Sequence, residues 1–113
     1  MLQEPELTAL LEEITRCIRE VSDPEQIILF GAYARGDAGP DSDMDVLVIE
    51  NGVVSPRQAS TRLRRNLRGL PVGIDVIVAT PEIIRRYAHS IGMIYRPALD
   101  EGKVLYEREP TFA

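Results

Sequence analysis

The sequence predicts an α/β (α+β) chain, with a mixed sheet of three to four strands packed against helices. Three observations carry that expectation. Short apolar runs at 26–31, 43–50 and 71–79 have strand length, and segments with helical apolar spacing alternate with them. Glycine-bearing turns separate the two kinds of segment. The order helix, strand, strand, helix, strand, helix, helix, strand is that of a mixed sheet with helices against it. The chain has 113 residues, one domain's worth, so 1–113 is read as one domain.

The first helix is expected over 5–21. Pro5 suits the first helical turn, and Leu7, Leu10, Leu11, Ile14, Ile18 and Val21 fall at helical spacing. Ser22-Asp23-Pro24 ends it. "QIILFG" (26–31) is a continuous apolar run closed by Gly31, which suits a buried strand. "AYARGDAGPDS" is a connection with room for one helical turn near its start. "DMDVLVIE" (43–50) is the second strand, and Asn51-Gly52 turns the chain. Ser55 caps the next helix and Pro56 opens it; it runs through about Arg68, with Gly69 at its end. "PVGIDVIVA" (71–79) is the third strand, and Thr80-Pro81 starts a further helix. Another helix is expected from Ile91 to Asp100 with a kink near Pro97, and "KVLYE" (103–107) is a short fourth strand.

Composition narrows the function classes. The net charge is −5, which argues against direct nucleic-acid binding, a task that calls for a basic footprint. The lone Cys17 excludes an internal disulfide and fits a reducing cytoplasm; it falls in the apolar series of the first helix and reads as a small buried hydrophobe. No apolar run approaches membrane-spanning length, and the acidic N-terminus has no signal-peptide pattern.

The chemistry lies in the acids. Asp43 and Asp45 open the second strand, and alternation points both to one face, about 6–7 Å apart by strand rise. Asp75 interrupts the third strand, where aspartate is disfavoured. If the third strand pairs beside the second, the three carboxylates converge and repel. A divalent cation removes that conflict, and hard oxygen ligands of this kind suit Mg²⁺. Such a site supports two-metal displacement at phosphorus. Other readings stay open: Asp41 and Asp43 also suit a turn after Gly39-Pro40, and Asp75 also suits an arginine partner. Gly31 followed by a helical turn offers backbone N–H groups to phosphate. Arg35 suits either a phosphate contact or an ion pair with Asp37, Asp41 or a site acid.

Gly31-Ala32, ten residues from Tyr33 to Ser42, then Asp43-Met44-Asp45 resembles the signature of the nucleotidyltransferase superfamily that includes polymerase beta. The likeness is closest to its minimal prokaryotic members, whose signature is Gly-Ser, the same interval, then Asp-x-Asp. "ARG", "PDSDMDVLV" and the tail "ALDEGKVLYER" also look like that family. The resemblance implies the polymerase-beta-like nucleotidyltransferase fold. It implies metal ligands at Asp43, Asp45 and Asp75 for two Mg²⁺ ions, with Asp75 as a ligand or as the base, and nucleotide binding at Gly31 and Ala32. It implies transfer of AMP from ATP to a hydroxyl. In the minimal members that hydroxyl is commonly a tyrosine of a HEPN-domain toxin, which makes this chain an antitoxin by resemblance. The family serine is Ala32 here, so a catalytically weakened antitoxin that binds its partner stoichiometrically is the alternative.

Arg57, Arg62, Arg64, Arg65 and Arg68 make one basic helix in an acidic chain. It reads as a solvated face with packed stems, or as a dock for acidic groups. His89 lies outside the acidic cluster, and Arg85 with His89 lacks the toxin's Arg-to-His spacing. Tyr33, Tyr87, Tyr95 and Tyr106 read as packing residues, with Tyr33 also beside the site.

Overall fold

The structure is a computed structural model and describes residues 3–88, 90 and 93–109. Helix α1 (Glu4–Val21) buries Leu10, Ile14, Cys17 and Ile18, and Pro5 sits in its first turn, where a missing N–H costs no helical bond. Strand β1 (Gln26–Phe30) follows and leads through Gly31 into a single helical turn, α2 (Ala32–Arg35). Strand β2 (Met44–Ile49) then pairs antiparallel with β1. Helix α3 (Pro56–Asn66) returns the chain so that β3 (Ile74–Ala79) lies parallel to β2. Helices α4 (Pro81–Tyr87) and α5 (Tyr95–Glu101) precede β4 (Lys103–Glu107), which pairs antiparallel with β1 on its other side. The sheet order is β3-β2-β1-β4, so the mixed sheet expected from the sequence has four strands.

Both faces of β2 are buried, which its near-continuous apolar run requires. Met44, Val46 and Val48 join α1 and α3 in one core that includes Ile14, Ile18, Leu63 and Leu67. Leu47 and Ile49 join Ile28, Phe30, Ala79 and Ala98 in a second core, under α4 and α5. Side-chain alternation therefore sends Asp45 and Asp75 toward the α4–α5 face.

The caps are as the sequence predicts. Ser55 Oγ accepts from Gln58 N at 3.3 Å, and Thr80 Oγ1 accepts from Ile83 N at 3.2 Å. Three expectations need correction. The third strand begins at Ile74 rather than at 71; Pro71 has no N–H for a ladder, and pairing begins where Met44 N donates to Gly73 O at 2.9 Å. Asp43 lies one residue before β2, in the connection. Pro97 falls in the first turn of α5, where its missing N–H breaks no bond, so it makes no kink. His89 and the expected helix start at Ile91 lie outside the described residues. Among the described residues, no helix is long and apolar enough to cross a membrane.

Candidate active site

The three acids are brought together by strand pairing. Asp45 and Asp75 are direct partners in the parallel β2–β3 ladder, and Asp43 sits two residues before Asp45 at the same end. Two glycines make room for the carboxylates. Gly31 has φ 74° and ψ −154°, a conformation closed to residues with a side chain, and a Cβ there would collide with Asp45 Oδ2. A Cβ at Gly73 would likewise collide with Asp43 Oδ1. Each β2-end acid thus rests against the backbone of a neighbouring strand terminus.

Electrostatics follow from that crowding. Burial pushes the Asp45 carboxyl above the usual carboxylate range; the nearby charges of Asp75 and Asp43 push it further, and Arg35 opposes them. A half-buried acid between two others is a cost to the fold that a cation, if bound, would offset. The site's donors are hard carboxylate oxygens, which fit Mg²⁺. Among the described residues, no group of three His, Cys, Asp or Glu side chains already stands in cation-binding geometry. Asp75 is engaged elsewhere: Arg64 Nη2 donates to its Oδ1 at 2.8 Å. This is the arginine partner that the sequence left open for Asp75.

On the opposite side of the site, Gly31 caps α2, and its carbonyl accepts from Ala34 N and Arg35 N at 3.1 and 3.0 Å. The first N–H groups of the turn, on Ala32 and Tyr33, have no partner within it. Arg35 reaches Asp37 at 3.3 Å and Glu101 at 3.5 Å, so the ion-pair alternative holds here, with Glu101 of α5 as an unforeseen second partner. Asp41 is an exposed turn residue. Tyr33 packs against the α1–α3 core. A concavity of about 420 Å³ lined by residues including Asn51, Ser55 and Arg62 lies at the far end of β2, away from the acids.

Sequence reasoning missed the roles of Gly73 and Arg64. Gly73 carried a signal, a glycine inside a strand pattern, which marks close backbone approach. Arg64 carried none beyond its place in a basic helix.

Residues 11–105 match the nucleotidyltransferase domain family. A protein of Methanocaldococcus jannaschii named a protein adenylyltransferase is 35% identical over 82 residues, which covers 73% of this chain and 78% of that protein. The fold is similar to that of a protein from Sulfolobus solfataricus named a nucleotidyltransferase (TM-score 0.62, 23% identity, 93% of this chain and 84% of that one). It is also similar to the MntA–HpeT toxin–antitoxin structure (TM-score 0.67, 20% identity, 88% and 74%). A third likeness is to a complex of an MNT antitoxin with the tri-AMPylated HEPN toxin of Shewanella oneidensis (TM-score 0.54, 18% identity, 89% and 72%). At these identities the structural likenesses establish the fold.

Proposed function

The chain belongs to the nucleotidyltransferase domain family, and from that premise we propose that it transfers AMP from ATP to a tyrosine hydroxyl of a cognate HEPN toxin. The observation that carries the reading is the register pairing of Asp45 with Asp75, beside Asp43, at the strand end next to the Gly31 turn. Asp43 and Asp45 hold Mg²⁺, and Asp75 completes the acidic set. The bound ion supplies charge neutralisation at the phosphates and a more acidic attacking hydroxyl. The N–H groups at Ala32 and Tyr33 bind and orient phosphate oxygens, and Arg35, at the end of the same turn, adds positive charge only by leaving its exposed pairs with Asp37 and Glu101. In the transfer, the tyrosine oxygen bonds to the α-phosphorus and the bond from that phosphorus to the bridging oxygen breaks. Pyrophosphate leaves, and the hydroxyl proton passes to the carboxylate of Asp75.

The partner assignment draws on what the relatives are: one is named a protein adenylyltransferase, and two share the fold of antitoxins in complexes with their toxins. Co-expression with a candidate HEPN partner, followed by mass spectrometry, tests it. The expected product is a tyrosine of the partner carrying AMP; a partner recovered unmodified from cells with the active antitoxin rejects the reading.

A second reading rests on Ala32. A methyl group cannot give the phosphate bond that the family serine gives, so a protein that neutralises its partner by stoichiometric binding is the alternative. Under it, neutralisation survives Asp45→Asn; under the first reading, it does not.

A further inference from the structure

We infer that Arg64 is a positioning residue for the third carboxylate: it holds Asp75 in the resting site and competes with the divalent cation for it. This deepens the reading of Asp43, Asp45 and Asp75 as a cation site and rests on it.

The geometry is unusual for a surface ion pair. Helix α3 packs on the face of the sheet opposite the acids, where Ala59, Leu63 and Leu67 enter the α1–α3 core. Strand β3 is the outermost strand of the sheet on that side. To reach Asp75, Arg64 must therefore pass around the β3 edge. It is fastened there, because the same Nη2 that donates to Asp75 Oδ1 at 2.8 Å donates to Val76 O at 3.2 Å. One helical turn earlier, Ser60 Oγ donates to Pro56 O at 2.9 Å and accepts from Val78 N at 3.1 Å. Two side chains at i and i+4 on α3 thus grip two backbone groups of the β3 edge. The guanidinium's place is set by that grip as well as by the acid.

Of the arginines at 57, 62, 64, 65 and 68, Arg64 is the one with an acidic partner among the described residues. Its charge does in the resting site what a metal ion does in the loaded one: it offsets the crowding of Asp75 against Asp45. Oδ1 cannot face the guanidinium and a divalent ion at once without bringing the two positive centres together. Cation entry therefore loosens the Arg64–Asp75 pair, and Arg64 weakens cation binding while keeping Asp75 in place.

Mn²⁺ titration of the full chain without nucleotide, read as free Mn²⁺ by electron paramagnetic resonance, tests this. Arg64→Gln is expected to tighten Mn²⁺ binding about two- to fivefold, the range of an exposed ion pair. Arg64→Lys, which keeps the charge but loses the planar fork, is expected to fall between the two. In an Asp75→Asn background, Arg64→Gln is expected to change little, a coupling that a purely structural arginine would not produce. Wild-type binding with unchanged or weaker affinity in Arg64→Gln overturns the inference alone. Absence of Mn²⁺ binding in the wild type overturns the cation reading as well.

Discussion

A methyl group at Gly73 would take the space of Asp43 Oδ1, so Gly73→Ala moves a proposed metal ligand without changing any ligand's chemistry. The expected result is a fold retained by circular dichroism and a transfer rate lowered roughly a hundredfold, as small misplacements in an active site can do. Ala32 gives the opposite experiment. Restoring a hydroxyl with Ala32→Ser adds one bond to a charged phosphate, worth roughly 1.5–3 kcal/mol, so calorimetry should show ATP binding at least tenfold tighter. Unchanged binding means that residue 32 does not face the phosphates. The nearness of Asp43 to Asp45 was legible in the sequence because a two-residue spacing is local, although Asp43 proved to precede the strand. Asp75 joined them only through the parallel β2–β3 register, and Arg64 only through the docking of α3, and no short window of sequence encodes either.

At the scale of elements, α3 carries the most consequence. Its Leu63 is 2% exposed and ties the helix to β2 and β3 through the shared core. Leu63→Ala should cost about 2–5 kcal/mol in a denaturant melt. Ser60→Ala removes the acceptor for Val78 N and should cost about 1 kcal/mol in the same melt. A smaller loss there would mean that water replaces the hydroxyl. Helix starts at Ser55 and Thr80 were readable because a cap followed by proline is local chemistry. The start of β3 was not, because an apolar run does not reveal which of its residues find a partner strand. Pro97 misled for a related reason: a proline that breaks a helix interior is harmless in a first turn, and where the turn begins was not visible.

At the scale of the whole molecule, the acidic site makes stability depend on pH and on ligand. Asp45 has its carboxyl raised in the folded state, so the folded chain holds that proton more tightly than the unfolded chain. As pH rises through the range between the ordinary and raised values, that contribution to stability is lost, and at neutral pH the folded state bears the full cost of the charge. In chelating buffer, Asp45→Asn should therefore melt higher than wild type at neutral pH, with the gap closing as pH falls below the ordinary carboxylate range. Equal melting temperatures at neutral pH would mean that the carboxylate is well solvated. The fold itself confines both proposed halves of the site, the Gly31 turn and the acids, to adjacent strand ends, so one substrate can bridge them. The most direct measurement is transfer of label from ATP carrying radioactive α-phosphorus, with Mg²⁺, to the proposed HEPN partner. Label on a tyrosine of the partner with wild type, and its loss with Asp43→Asn and with Asp45→Asn, is the predicted result; no label with wild type, or undiminished label with either variant, would contradict the account.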